Sequence, residues 1–74
     1  MSPHERAALR QSLDGAVLNV ALIAASLRTG RRLQARVNNA GRYALKIAGS
    51  PHDLVKSCSA MVAVNFLDAY GVAA

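Results

Sequence analysis

Two near-identical tetrapeptides hold both histidines and half of the acids of this chain: Ser2-Pro3-His4-Glu5 and Ser50-Pro51-His52-Asp53. Two imidazoles and two carboxylates make a donor set that could take a divalent cation. Neither tetrapeptide carries the ligand spacing of a zinc motif. The same letters also describe a helix start. Serine accepts a backbone N–H, proline occupies the first helical position without losing a donor, and an acid three residues after the cap complements the positive end of the helix. The capping reading is preferred for both, and no metal site is assigned. Geometry is the arbiter. If the middle of the chain is a β-hairpin, His4 and His52 stand at opposite ends of the protomer. If it is a helix, Ser50 returns close to Ser2 and the donor set assembles.

Other reactive chemistry is sparse. Cys58 is the single cysteine, so it forms no internal disulfide. It reads as a small buried hydrophobe in a reducing, cytoplasmic setting. There is no glycine-rich phosphate loop and no nucleophile elbow. Glu5, Asp14, Asp53 and Asp68 are scattered along the chain, which gives no paired carboxylates for acid–base work. The expectation is a protein that is not an enzyme, with no catalytic residues and no cofactor.

The elements that hold these residues follow from periodicity. After the Ser2 cap, Leu9, Leu13, Ala16, Val20, Ile23 and Leu27 recur at spacings of 4, 3, 4, 3 and 4, one stripe of a helix over about 3–29. Gly30 is a natural stop and Arg28 suits the negative helix end. Leu18, Leu22 and Ala25 lie off that stripe, so the helix has two apolar faces. One face covers the chain's own core, and the other needs a partner, most simply a second copy. Leu18, Leu22 and Ala25, with Met61 and Val64, are the expected helix–helix interface of a homodimer. Asn19 and Asn65, beside apolar faces, are candidates for polar contacts that fix helix register. The run from Ala16 to Leu27 is too short for a membrane span and contains Asn19. Glu5 and Asp14 spoil it as a secretory leader.

Residues 31–48 fit a β-hairpin. Leu33, Ala35 and Val37 alternate with Arg32, Gln34 and Arg36, and Tyr43, Leu45 and Ile47 alternate with Arg42, Ala44 and Lys46, across the turn-forming Asn38-Asn39-Ala40-Gly41. The competing helix would hold both asparagines and Gly41 in its interior. A second helix over about 51–70, capped by Ser50, ends at Gly71. Val72-Ala73-Ala74 is expected to be a loose tail. The fold class is α+β, in the order helix, β-hairpin, helix, as one domain over 1–74. The alternative is an all-α helical hairpin or bundle.

Charge carries the functional reading. Net charge is +5, and Arg28, Arg31, Arg32, Arg36, Arg42, Lys46 and Lys56 supply seven of nine basic residues, with no acid between Asp14 and Asp53. Such a one-signed segment suits an anionic partner, either nucleic acid or an acidic protein face. Arg28, Arg31, Arg32, Gln34, Arg36, Arg42 and Lys46 are the candidate contact residues. A basic two-stranded ribbon fits a major groove or tracks phosphates. Tyr43 falls on the core face, which argues against a stacking platform for single strands. The first expectation is a small basic regulator that associates with nucleic acid. The alternative is a protein-binding regulator or inhibitor that docks on an acidic or apolar surface. A weaker one is a membrane-associated helical hairpin. The closing stretch “AGSPHDLVKSCSAMVAVNFL”, following a strand, is similar to the last helix of double-stranded-RNA-binding domains. Those domains have three strands and a lysine run at that helix start. Here two strands are read and Lys56 stands alone, so the chain is not assigned to them.

Overall fold

Ser2 begins the first helix as its chemistry dictates. In the computed structural model, which describes residues 1–72, its hydroxyl accepts the Glu5 N–H at 3.2 Å and Pro3 opens helix α1 (Pro3–Thr29). Gly15 does not interrupt it. Gly30, in the left-handed conformation at φ 68°, closes it by donating to the Ser26 carbonyl. Strand β1 (Leu33–Val37) then pairs antiparallel with β2 (Tyr43–Ile47), with Leu33 opposite Ile47 and Val37 opposite Tyr43. The turn uses the expected residues. The Asn38 carboxamide oxygen accepts the N–H groups of Ala40 and Arg42 at 2.9 Å each, and Gly41 takes φ 76°. The α+β class and the hairpin therefore stand, and the all-α alternative falls.

The second tetrapeptide does something else. Ser50 caps no helix: its hydroxyl accepts the N–H of His52, two residues on, at 3.2 Å and shapes a turn. The chain continues as a third strand, β3 (Asp53–Cys58), antiparallel to β2 in a sheet of order β1-β2-β3. Helix α2 is correspondingly shorter, Ala60–Ala69, and its cap is Ser59, whose hydroxyl accepts from Val62 N at 3.3 Å. The expected helix over 51–70 is corrected to a strand followed by a ten-residue helix. The reason lies in the register. Asp53 pairs with Lys46, Val55 with Leu45 and Cys58 with Tyr43. An extra residue is thus inserted on either side of Val55, and the ladder is bulged at both places. The core-facing residues Val55 and Cys58 end up three apart, which is helical spacing and not the period of two that marks a strand. Even with a third strand, the lysine run of double-stranded-RNA-binding domains is missing, since α2 opens Ala60-Met61-Val62.

Both helices pack on one face of the sheet. The core is Leu18, Ala21 and Ala25 from α1, Leu33, Leu45 and Cys58 from the strands, and Ala63 and Leu67 from α2. Ala25 and Ala63 are wholly enclosed, as small residues must be where two helices and a sheet meet closely. Cys58 is buried, as expected of a small apolar side chain. The two faces of α1 are exchanged relative to the sequence expectation. Leu18, Leu22, Ala25 and Val64, expected at a dimer interface, lie in or against the protomer's own core. Leu9, Leu13, Val20, Ile23 and Leu27 are left exposed. Close packing of Ala21 and Ala25 favours this face, and Ser26 on the same side accepts the Leu33 N–H at 3.1 Å and pins β1 to the helix. α1 has no buried residue before Leu18, yet the hairpin turn at Asn39–Tyr43 reaches back beside Ala7, Arg10, Gln11 and Asp14, and the 43 Å length of the molecule is close to that of α1 itself.

The far ends of the two helices meet at Arg28. Its guanidinium donates to the Leu67 carbonyl at 2.6 Å and to the Tyr70 carbonyl at 2.7 and 3.0 Å. It supplements the backbone cap of α2, where Tyr70, extended at ψ 124°, donates its N–H to the Leu67 carbonyl and Val72 donates to Ala69 across left-handed Gly71. Gly71, at φ 77°, packs where a Cβ would strike the Thr29 methyl. Of the expected tail, Ala73 and Ala74 lie outside the described residues.

Two substitutions separate this fold from the capped helix expected at Ser50. Ser59→Ala should cost about 1 kcal/mol of unfolding free energy in urea denaturation, as a lost N-cap does, and Ser50→Ala clearly less. Arg28→Met should cost about 1.5–3 kcal/mol, the range for hydrogen bonds to a charged group, with the loss of amide protection concentrated in α2.

Candidate functional site

The helices cover one face of the sheet and leave the other open. Alternation along β1 sends Leu33 inward and Gln34 and Arg36 outward. Across the hairpin, Gln34 opposes Lys46 and Arg36 opposes Ala44, so the open face gathers Gln34, Arg36 and Lys46 around a small residue. Arg32 precedes β1 on the same side by parity, exposed, with its carbonyl holding the Ala48 N–H. β3 then adds a cation that sequence reasoning placed in a helix. Lys56 lines one shallow depression of about 330 Å³ together with Arg36, Arg42, Ala44 and Asp53. Lys56 stands beyond Asp53, outside the acid-free stretch, and its position on this face became legible only once β3 was a strand.

Two of the arginines are oriented by hydrogen bonds. Arg42 lies across to β3, with Nε donating to the Ser57 hydroxyl at 3.1 Å and Nη2 to the Ser57 carbonyl at 3.4 Å. Arg36 Nη2 meets Asp53 Oδ1 at 3.2 Å. Arg36 is 66% exposed there and Asp53 25%, so this pair adds little to stability. It does orient the guanidinium and locally offsets the positive field, because Asp53 is the acid lining that depression.

Not every expected contact residue belongs to this face. Arg28 is engaged by the carbonyls at the end of α2, and Arg31 Nη1 lies 3.4 Å from the Tyr70 hydroxyl. Both stand at the corner where the helices end, away from the open sheet. Tyr43 is half-buried on the core side, as expected. The open face therefore offers guanidinium and ammonium groups without an aromatic surface. The third strand also alters its shape. Three strands about 5 Å apart, plus side chains, are broader than the two-stranded ribbon that enters a major groove.

The tetrapeptide histidines do not converge. Ile47 pairs with Leu33 just beyond the end of α1, so the turn bearing His52 sits at that end. His4 is a full helix length away, about 40 Å at 1.5 Å per residue. Among the described residues no three of His, Cys, Asp and Glu are grouped so as to hold a metal ion. A second depression runs between α1 and α2, lined by Arg10, Asp14, Val17, Ser59, Met61 and Asn65 among others. The Ser59 hydroxyl there already caps α2. Among the described residues no helix is long and apolar enough to cross a membrane.

Removing the one acid of the basic depression tests its electrostatics. Asp53→Asn should leave unfolding free energy within about 0.5 kcal/mol of the parent while strengthening adsorption to a polyanion such as heparin, read as later elution in a salt gradient. The chain has no match among protein-family models, curated proteins or solved structures.

Proposed function

We propose that this chain is a small non-catalytic protein that binds nucleic acid through the open face of its sheet, by contacts to the phosphate backbone. The observation that carries the reading is that face itself. Arg36, Arg42, Lys46 and Lys56 converge there from three strands, and Asp53 is the one acid beside them. Phosphate contacts need cations fixed on a rigid element and little more. The Ser57 hydrogen bonds to Arg42 and the Asp53 contact to Arg36 provide that fixation. The width of three strands favours lying across phosphates over insertion into a groove. The absence of an outward aromatic among the described sheet residues favours a duplex over stacked single strands. Binding of this type is governed by charge and shape and is weakly selective for sequence.

Fluorescence anisotropy of labelled duplex DNA, duplex RNA and single strands, repeated over a salt series, tests the reading. For about four phosphate contacts the log–log salt slope on duplex DNA should be about −3 to −4. Arg36→Ala, Arg42→Ala, Lys46→Ala and Lys56→Ala should each make it shallower by about 1. Arg31→Ala, at the helix corner, should leave it unchanged. Failure to bind any of these at low salt would overturn the proposal and leave the face as a docking surface for an acidic protein.

A further inference from the structure

The exposed face of α1 is organised in a way that scattered surface hydrophobics are not. Among the described residues twelve large hydrophobic side chains are exposed, and six of them, Leu9, Leu13, Val17, Val20, Ile23 and Leu27, stand on this one helix. Leu27 is 80% exposed and Val20 66%. With Ala16, five of these form two interleaved heptad rows: Leu9, Ala16 and Ile23 stand seven apart, and so do Leu13, Val20 and Leu27. A seven-residue repeat is the period of a seam facing another helix, whereas a helix lying on a sheet or a flat surface follows the straight-helix period of about 3.6.

The occupant can be read from the stripe's own symmetry. Laid antiparallel on a copy of itself about an axis between Ala16 and Val20, the stripe matches at every layer. Leu9 meets the second copy's Leu27, Leu13 its Ile23, and Ala16 its Val20. The small Ala16 sits at the centre, where two helices must approach to about 8–10 Å. Charge selects the direction. The C-terminal end of α1 carries Arg28 and leads into Arg31 and Arg32, with no acid nearer in sequence than Asp14 or Asp53. A parallel pair would crowd two such clusters together. The antiparallel pair separates them by about a helix length, brings Glu5 toward the second copy's Arg31, and opposes the helix dipoles favourably.

The shape of the protomer allows it. Each core lies on the face of α1 bearing Leu18, Ala21 and Ala25, away from the stripe. The exposed stripe on the N-terminal half of one α1 would lie along the outer face of the other's C-terminal half. Met61, 74% exposed and lining the same groove as Val17, would border the seam from α2. We infer that this protein forms a two-fold homodimer through an antiparallel pairing of α1 along Leu9, Leu13, Ala16, Val20, Ile23 and Leu27.

Analytical ultracentrifugation of the full chain over a wide micromolar range is the test. The expected species has twice the 7.8 kDa chain mass. Leu13→Lys and Ile23→Glu alter exposed positions, so circular dichroism should show each still folded. Each alone should weaken association by about 100-fold, through a charge left unpaired against an apolar side chain in the seam. The double variant L13K/I23E should recover most of that loss, because the antiparallel register sets the introduced ammonium of each copy against the introduced carboxylate of the other, twice per dimer. A second pair, Leu9→Lys with Leu27→Glu, reads the outer layer in the same way. A parent chain that stays monomeric throughout overturns the inference, and so does a stripe that binds lipid vesicles while monomeric. Double variants no better than the singles overturn the antiparallel register. None of these substitutions touches Arg36, Arg42, Lys46 or Lys56, so nucleic-acid binding is scored separately.

Discussion

The guanidinium of Arg28 is the point on which the arrangement of helices depends. Helix α2 is ten residues long, too short to persist alone in water. Its last turn closes through Tyr70 N–H to the Leu67 carbonyl and Val72 N–H to the Ala69 carbonyl, across left-handed Gly71. Arg28 reaches from the end of α1 and adds charged donors at the Leu67 and Tyr70 carbonyls. That one side chain ties the end of α2 to the end of α1, beside the point where Leu67 enters the core. The stacked rings of Phe66 and Tyr70, 5.6 Å apart, and the close passage of Gly71 over Thr29 belong to the same corner. A residue whose type and position suit an anionic ligand is thereby taken up by architecture, and the candidate binding surface is confined to the sheet.

α1 divides the molecule's tasks between its faces. The face bearing Leu18, Ala21 and Ala25 makes the core, and Ser26 on that side receives β1. The face bearing Leu9 through Leu27 makes none of it. The open sheet face, carrying Arg36, Arg42, Lys46 and Lys56, is directed away from both. A protein this small has little interior to spare, and here half of the large apolar residues left exposed stand on one helix while four cations gather on another surface.

What the sequence revealed and what it hid separate along a physical boundary. Signals local to a few residues were legible: the Ser2–Pro3–Glu5 start, the Asn38–Gly41 turn, and the alternation of β1 and β2. These conformations are stabilised by neighbours in the chain. β3 was hidden because its two bulges bring Val55 and Cys58 to a helical spacing, and because Ser50-Pro51-His52-Asp53 has every letter of a helix start. The two faces of α1 were visible, but their assignment was not. Size favoured the Leu9–Leu27 stripe for the core, whereas close packing favoured the alanines. The same limit applies to the candidate site. Gln34, Arg36, Arg42 and Lys46 share a face for reasons of strand parity, which sequence shows. Lys56 joins them, and Arg28 and Arg31 leave them, through contacts between elements distant in the chain.

The bulges in β3 bear on whether this sheet can grow by pairing along its edges. A three-stranded sheet has two free edges, and each is a template on which another chain can add a strand. An edge interrupted on both sides of Val55 presents its N–H and C=O groups out of step, so an incoming extended segment finds no continuous ladder there. The other edge, β1, is regular but only five residues long, with Arg32 and Arg36 beside it. Its brevity and charge would make open-ended growth into fibrils costly, so the same irregularity that disguises β3 as a helix in the sequence also guards the sheet against polymerisation.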